Sequence, residues 1–451
     1  MPAPANAGVL PAGVKEINPP KALDPDRVVA IVGATLIDGR GGPPITNSVV
    51  VVRGAKIDSI RSGKSALHPH QNPKEAAGSG SLLKPVQSRS SAARQFIPKG
   101  AEVFDASGLT LLPGFIDSHF HVERSYDLPK LFLSHVVTAL RDPGQWIHVY
   151  DPIKKSELPQ PRCFVAGPHL DCSPPAYPAD AFLVSDAAGT LGAVNRFVDE
   201  GASVIKVYFR LPLEWIGVAC RAAHQRGVPV TAHLELVDAD KAIRAGLDGI
   251  EHVTSFSTVL AEADDAERFR RAVAADNEAR RKGRYELWSK LDLERSPRVK
   301  PLIDLLVKRK VFLSPTLAVF ERREGDKGVI EVEARAFQNM LRFVGLCHRA
   351  GVAIVIGSHS SVPKAERGWA YQREMELLLE CGMTPLQVIK AGTLNNARFF
   401  RVQDRLGSVE CGKLADLVLV QGNPLQDSAA LRRIKAVMLN GQWVAPPLPL
   451  R

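Results

Sequence analysis

The chain has few cysteines for its length and lacks the segments that direct export or span membranes. Its six cysteines are scattered over 451 residues without a Cys-X-X-Cys pair, which indicates neither a disulfide framework nor a cysteine zinc site. The N-terminus lacks a basic start followed by an apolar stretch, and no run approaches the roughly 20 apolar residues of a membrane span. These absences predict a cytoplasmic location without membrane contact, and they leave open an export signal trimmed from this numbering.

Several motifs of nucleotide-binding and serine-dependent enzymes are also absent. There is no GxGxxG or phosphate-binding loop pattern, and no GxSxG pattern that would place a nucleophilic serine on a sharp turn. The sequence therefore gives no reason to expect a nucleotide, an organic cofactor or a serine nucleophile.

Acidic residues are outnumbered, and the imbalance is uneven along the chain. The formal net charge is +10, and the segment 63–100 alone carries six basic residues against the single acidic Glu75. This segment is rich in Ser, Pro and Gly and nearly free of the aromatic side chains that stack on bases. We expect a flexible basic insertion rather than a nucleic-acid-binding arm.

The sequence leaves open whether the chain forms a homo-oligomer.

The two ends of the chain share a β-rich character. Short β-branched runs separated by glycines at 28–39, 48–60 and 101–114 predict antiparallel strands, and similar runs recur near the C-terminus. Strands at both ends around a different middle predict one small β-sandwich formed from 28–111 and 406–451. Residues 1–27 then form an N-terminal extension.

The middle of the chain, 112–405, alternates short apolar runs with helix-length amphipathic stretches. Buried strands that alternate with helices predict a parallel sheet, and a count of eight favours closure into a (β/α)8 barrel. The fold class is thus α/β. The predicted strands are 115–119, 137–142, 163–167, 203–208, 229–233, 248–252, 311–316 and 353–358.

One helical stretch exceeds what a minimal barrel needs. Residues 255–310 read as helix between the sixth and seventh predicted strands. Such an insertion either overhangs the barrel mouth or forms a plain surface excursion, and the sequence leaves both readings open.

Four histidines stand where predicted barrel strands end. His119 and His121 are two residues apart at the end of the first strand, so both imidazoles point to the same side. His233 ends the fifth strand and His252 the sixth. Active sites of such barrels lie at the C-terminal ends of the strands, and imidazole nitrogen suits zinc and similar ions. We therefore expect a divalent metal site, with zinc first and manganese or iron as alternatives.

A lysine lies inside the fourth predicted strand. Lys206 stands within VIKVY, among residues that should be buried. An unpaired buried ammonium is costly, so this side chain needs a partner, a chemical change or a route to the mouth. Beside a histidine cluster we favour a functional role.

These residues together resemble the amidohydrolase superfamily, nearest its prolidase-like and imidazolonepropionase-like members. The motifs are PGFIDSHFH, the lysine strand, the TAH and EH strand ends, TLNNARFF, and DRLGSVECGKLADLVLVQGNPLQD, so the resemblance extends from about Val28 onward. It implies a barrel flanked by a small β-sandwich. It also implies that His119 and His121 bind one metal, and that a carboxylated Lys206 bridges to a second metal held by His233 and His252.

The eighth predicted strand departs from the family pattern. The family places an aspartate there, whereas IVIGSHSS places His359. A histidine can shuttle protons or ligate a metal, but it supplies no negative charge, which favours one ion over two. The alternative is a diverged or inactive site. Glu235 is our catalytic candidate beside His359, and Glu123 and Asp142 are further carboxylates that could instead only support the ligands.

The expected reaction is hydrolysis of a carbon–nitrogen bond in an amide, a cyclic amide or a dipeptide-like small molecule, by water that the metal activates. Arg141, His169, Tyr208 and Arg210 are the candidates for contact with the substrate, because each follows or ends a predicted strand. An arginine there could clamp a carboxylate, or it could be a salt-bridged structural group. A metal-dependent isomerase or decarboxylase on the same scaffold and a non-catalytic binding protein are the alternatives.

Overall fold

The structure is a computed structural model that describes residues 13–21, 24–62, 95–123 and 125–444. Most of the predicted basic insertion and the first part of the N-terminal extension lie outside these residues. Among the helices described, none is both long and apolar enough to cross a membrane.

Through the middle of the chain the strands alternate with helices. Near the two ends of the chain, the described strands follow one another without an α-helix between them. In chain order they are β1 (Val28–Leu36), β2 (Ile45–Arg53), β3 (Lys56–Ser62), β4 (Glu102–Asp105), β5 (Leu109–Pro113), β6 (Phe115–Asp117), β7 (Val137–Asp142), β8 (Arg162–Val165), β9 (His169–Asp171), β10 (Ala181–Leu183), β11 (Ile205–Val207), β12 (Val230–Ala232), β13 (Gly249–Glu251), β14 (Phe312–Ser314), β15 (Ala353–Ile354), β16 (Leu417–Gln421), β17 (Ile434–Leu439) and β18 (Gln442–Val444).

The α-helices of the described residues are α1 (Leu128–Ser134), α2 (Asp151–Lys154), α3 (Ala187–Glu200), α4 (Leu213–Gln225), α5 (Ala239–Ala245), α6 (Ser257–Leu260), α7 (Ala263–Ala275), α8 (Ala279–Lys290), α9 (Val299–Arg309), α10 (Glu331–Arg349), α11 (Ala370–Glu380), α12 (Pro385–Lys390) and α13 (Asn396–Phe399). Single 3-10 turns and one π turn join several of them.

Strands from both chain ends form one eight-stranded sheet, in the order β18-β17-β16-β5-β1-β2-β3 with β4 paired to β1. Alternate residues of β1 pack into two different apolar clusters, so both faces of the sheet are buried at this strand. The prediction that all these strands pair antiparallel was wrong for two pairs, because β4 and β5 run parallel to β1. A parallel neighbour needs a long connection, and the segment between β3 and β4 provides one.

The eight strands predicted for the middle of the chain are all present, as β6, β7, β8 and β11 to β15. They lie in a three-stranded and a seven-stranded sheet, and every pair within these sheets is parallel. Backbone hydrogen bonds link the two sheets at both edges, from Ser203 N to Val165 O and from Ser118 N to Ile356 O, each 2.8 Å long. The pattern is the TIM-barrel-like α/β fold. Strands β9 and β10 were not predicted.

The N-terminal extension is attached to the rest of the molecule by a buried arginine. Arg162, at the start of β8, donates to Glu16 at 2.8 Å, to Asp416 at 2.7 Å and to Asn440 at 3.0 Å. This network joins the extension, the parallel strands and the sheet from the chain ends.

Candidate metal centre

His119 and His121 follow β6 and aim the same ring nitrogen at one point. Their Nε2 atoms are 3.1 Å apart. The Nδ1 atom of His119 lies 2.8 Å from a carboxylate oxygen of Glu251, and Nδ1 of His121 lies 3.5 Å from Asp142. An ionised carboxylate only accepts hydrogen bonds, so Nδ1 of His119 carries the proton and its Nε2 presents a lone pair next to Nε2 of His121. Two ring nitrogens that face each other in this way suit a shared cation.

His359 completes this group from the segment that follows β15. One donor atom from each of His119, His121 and His359 lies within 4.8 Å of the others. The ring of His359 stacks on that of His119 with centroids 5.2 Å apart, and its buried Nδ1 atom has no hydrogen-bond partner in the part of the chain that the structure describes. Gly357 makes the approach possible, because a Cβ atom there would lie 2.5 Å from Cβ of His119.

His233 and His252 continue the cluster on the next strand ends. Their ring centroids are 4.4 Å apart, and His252 lies 4.6 Å from His119. Nε2 of His233 donates to Glu235 at 3.0 Å, which leaves its buried Nδ1 without a partner. Nδ1 of His252 contacts the Thr316 hydroxyl at 2.7 Å, which leaves Nε2 as its available donor atom. Both rings therefore keep one nitrogen for another ligand.

Lys206 lies on β11 and is only 3% exposed. Within the described part of the chain, no side chain or carbonyl accepts a hydrogen bond from its ammonium. Burial lowers the pKa of Lys206 to about 8, against the opposing charge of Glu251. A partner, a chemical change or a route to the mouth thus all stay open for this lysine, and its functional role stays a prediction.

The protonation of the histidines suits cation binding. Burial, followed by the charge of Lys206, lowers the pKa values of His119 and His233 well below their usual range. Burial also lowers the pKa of His252 and brings that of His359 to about 3. His121 differs, because the hydrogen bond and charge of Asp142 outweigh burial and raise its pKa. Four of the five rings are thus neutral donors near pH 7.

Glu251 is the residue that the sequence interpretation missed. It lies on β13 directly before His252, and its carboxylate accepts from His119, from Arg141 at 2.7 Å and from Thr231 at 2.8 Å. A glutamate inside a fully buried strand must be paired, and that was the available signal.

Two of the residues expected to contact the substrate lie elsewhere, and this expectation needs correction. Arg141 is buried behind the histidines, where it binds Glu251 and the Ser118 carbonyl and stacks on Phe399 at 4.0 Å. Its partner is Glu251 rather than the adjacent Asp142. Arg210 donates to the carbonyl of Val273 at 2.7 Å and to the side chain of Asn277, so it ties the chain to the end of α7.

A cavity of about 520 Å³ opens above the histidines. His169 and Tyr208 line it as predicted, with ring centroids 4.2 Å apart, whereas Glu235 lies behind His233 and outside the lining. We call His119, His121, Lys206, His233, His252 and His359 the cavity floor.

Helix α8 covers part of this cavity. We call its four lining residues, Arg280, Arg281, Arg284 and Tyr285, the cavity roof. The helix is anchored at its other end, where the Asn339 amide donates to the carbonyls of Trp288 and Leu291. Of the two readings left open for 255–310, an overhang at the mouth is therefore the correct one.

Comparison with known proteins places this geometry in a family. Residues 208–444, just over half of the chain, match the sequence profile of the amidohydrolase family. The chain belongs to the amidohydrolase family. The resemblance inferred from the motifs is thus confirmed, and the family's dependence on metal agrees with the histidine-rich floor.

Individual relatives of this amidohydrolase are distant. An adenine deaminase of Clostridium botulinum (strain 657 / Type Ba4) is 23% identical over 387 residues, which cover 78% of this chain and 51% of that protein. The chain thus spans about half the length of the curated relatives it matches.

Solved structures match over nearly the whole chain. A Xaa-Pro dipeptidase with bound methionine is 21% identical with a TM-score of 0.67, over 92% of this chain and 99% of that one. The ochratoxinase of A. niger is 18% identical with a TM-score of 0.67, over 93% and 96%. At this identity the likeness shows the fold alone.

Proposed function

We propose that the chain hydrolyses a carbon–nitrogen bond of a small-molecule substrate with a divalent metal bound at the cavity floor. The observation that carries the proposal is the convergence of His119, His121 and His359, whose donor atoms lie within 4.8 Å of one another. Two of the proteins that this chain resembles agree in reaction type, because a deaminase and a dipeptidase both act on carbon–nitrogen bonds.

The donor set fits such an ion on its own chemistry. Glu251 holds the proton of His119 on Nδ1, away from Nε2, and buried Nδ1 atoms of His233 and His359 have no hydrogen-bond partner among the described residues. Imidazole-rich sites suit zinc first, with manganese or iron as alternatives. When bound, the ion would polarise the scissile carbonyl and lower the pKa of a water molecule.

We propose one or two ions per chain. His119 and His121 would hold the first, and His233 and His252 a second if Lys206 is carboxylated. In that reaction the neutral amine nitrogen bonds to the carbon of carbon dioxide and releases a proton, which replaces an unpaired cation by an anionic oxygen ligand. Because His359 brings no negative charge where the family has an aspartate, occupancy by a single ion is favoured.

His359 and Glu235 have different proposed roles. His359 faces the first pair of ligands with a buried, unpaired Nδ1, so it would ligate or carry a proton between water and leaving group. Glu235 accepts a hydrogen bond from His233 and does not line the cavity. It would therefore act as a positioning residue.

The finer description of the fold is part of the same proposal. The two parallel sheets would close into one (β/α)8 barrel over 112–405, with 28–111 and 406–451 as a small β-sandwich beside it. The hydrogen bonds at both edges of the parallel sheets and the two buried faces of the eight-stranded sheet at β1 support this division.

Metal analysis by inductively coupled plasma mass spectrometry tests the first half of the proposal. Protein purified without chelators should contain one or two divalent ions per chain, and the double variant His119→Ala/His121→Ala should contain close to none. His148→Ala, an exposed histidine, is the matched control and should keep the wild-type metal content. Equal metal content in all three proteins would overturn the assignment.

Hydrolysis tests the second half. We would screen N-acyl amino acids, dipeptides and cyclic amides with zinc and with manganese, and measure the released amine. His359→Ala should lower kcat by roughly 10²- to 10⁴-fold, as removal of a proton-transfer group does, whereas His359→Asp should retain activity. Unchanged activity of His359→Ala would refute its role. Bound metal without hydrolysis would favour an isomerase, a decarboxylase or a binding protein.

A further inference from the structure

Two arginines of the cavity roof are buried and face the cavity. Arg280 and Arg284 lie four residues apart on α8, so they occupy the same side of the helix. They are 2% and 6% exposed. Both belong to the cavity lining.

Among the described residues, neither arginine has a carboxylate partner within 4.0 Å. Arg280 donates to the hydroxyl of Tyr177 at 2.8 Å, and its buried Nε has no acceptor. Arg284 uses only its Nε, which donates to the carbonyl of Arg280 at 3.1 Å. The terminal nitrogens of Arg284 therefore donate to no acceptor within the described residues.

The other buried arginines differ from Arg280 and Arg284 in having carboxylate partners. Four arginines of the described residues are buried, and Arg141 and Arg162 each bind a carboxylate at 2.7 Å. Arg280 and Arg284 have none within 4.0 Å. An arginine cannot shed its charge when it is buried, so an unpaired one is costly unless an anion joins it.

Aromatic rings hold the two guanidinium groups in place beside the cavity floor. Arg280 lies 5.2 Å from the Tyr177 ring, and Arg284 lies 5.3 Å from the ring of Phe320. Phe320 in turn contacts His252, with centroids 5.7 Å apart. Faces packed on rings leave guanidinium edges available for hydrogen bonds.

Acidic side chains around the cavity are fewer than basic ones. The lining contains two carboxylates, Glu123 and Asp180, of which Glu123 accepts from the Ser361 hydroxyl at 2.9 Å. Glu235 accepts a hydrogen bond from His233, and its other carboxylate oxygen is buried without a hydrogen-bond partner among the described residues. Its charge acts on both Arg280 and Arg284, but it forms no ion pair with either of them within 4.0 Å. Against these the lining carries four arginines and Lys206.

We propose that Arg280 and Arg284 bind a carboxylate of the substrate, so that the substrate is an N-acyl amino acid or peptide-like acid whose scissile amide lies over the cavity floor. This assignment of substrate class rests on the proposed function. Two guanidinium edges converging on one anion give the directional, charge-assisted recognition that carboxylates favour. Hydrolysis by water would break the amide carbon–nitrogen bond and leave the amino acid, with its carboxylate, under the roof.

The kinetic test compares acids with their neutral amides. The probes are N-acetyl-DL-leucine and N-acetyl-DL-phenylalanine, each beside its carboxamide, with zinc-loaded full-length protein. Wild-type protein should prefer the acids by about 10- to 100-fold in kcat/KM, the range for hydrogen bonds to a charged group. Arg284→Gln and Arg280→Gln should lose this preference, mainly through a higher KM for the acids.

The control variant lies on the same helix. Lys282→Gln removes one positive charge from an exposed position of α8 outside the lining, so it should keep the wild-type preference. Arg284→Lys retains the charge but not the planar fork, so it should recover only part of the preference. Circular dichroism confirms that each variant is folded.

Binding separates failure of this proposal from failure of the proposed function. Isothermal titration calorimetry with the same acids and amides needs no turnover. Preferential binding of acids, lost in Arg284→Gln, would support the anion site even if nothing is hydrolysed, and would then count against the hydrolase. Equal binding or equal turnover of acids and amides, or an unaffected Arg284→Gln, would overturn the carboxylate site.

Discussion

The cavity floor and the cavity roof solve the problem of buried polar groups in opposite ways. On the floor, His119 and His233 each have one ring nitrogen bonded to a carboxylate and the other left for a ligand. On the roof, Arg280 and Arg284 are packed on aromatic rings without a carboxylate. A neutral donor with a fixed proton suits a cation, whereas a fixed cation without a partner suits an anion. We therefore expect the same cavity to bind a cation at its floor and an anion at its roof.

The largest expected effect comes from the carboxylate behind the floor. Glu251→Gln leaves Arg141 buried without its anion, and loss of one partner of a buried pair costs about 3–5 kcal/mol in the free energy of unfolding. The new amide can also donate to Nδ1 of His119, which would move the ring proton to Nε2. Zinc affinity should then fall by roughly 10- to 100-fold. Urea denaturation and competition with a zinc chelator measure the two effects.

An exposed glutamate gives the control for that experiment. Glu262 pairs with Arg298 at the surface, so Glu262→Gln should leave both the free energy of unfolding and the zinc affinity close to their wild-type values. A stable Glu251→Gln protein with wild-type zinc affinity would show that the floor does not depend on its supporting carboxylate. The contrast with the roof would then fail.

A smaller loss of stability is expected when a side chain is added at Gly357, next to His119 of the cavity floor. A Cβ atom at position 357 would lie 2.5 Å from His119 and 2.6 Å from the Ser314 hydroxyl, so Gly357→Ala must displace the ligand. We expect a loss of about 1–3 kcal/mol in the free energy of unfolding, as in other overpacked sites, together with weaker zinc binding. Binding of N-acetyl acids at the roof should change much less.

Gly192→Ala is the control for this substitution. Position 192 lies on α3, and a Cβ atom there has no neighbour within 4 Å. The variant should be as stable as the wild type or slightly more stable, because alanine favours helix. If Gly357→Ala impaired acid binding and zinc binding equally, the floor and the roof would be one coupled unit.

The cavity floor and the cavity roof also differ in how much of each could be predicted from the sequence. The floor was predictable because its histidines end strands whose apolar runs are local signals, and parallel strands bring their ends together. The roof was not, although the insertion was recognised. Its helix carries arginines on several faces, and only tertiary packing decides that Arg284 is buried while Arg281 pairs with Glu278 at the surface.

Two errors have related causes. Arg141 was expected to contact the substrate, but it binds Glu251, which lies 110 residues away in the chain and whose position the strand pattern around Arg141 does not encode. The parallel pairing of β4 with β1 likewise follows from the path of the connection, which residue patterns do not encode.

The smallest expected effect concerns the orientation of a roof arginine. Tyr177→Phe removes the hydroxyl that accepts from Arg280 at 2.8 Å and keeps the ring that the guanidinium packs on. Loss of one ordinary hydrogen bond should raise KM for N-acetyl acids by about 2- to 10-fold, with kcat and zinc content unchanged. Steady-state kinetics with acid and amide, alongside metal analysis, measures this directly. A fall in kcat or in bound zinc would mean that the roof supports the metal as well as the substrate, because a change confined to an anion contact cannot alter the ligands of the floor.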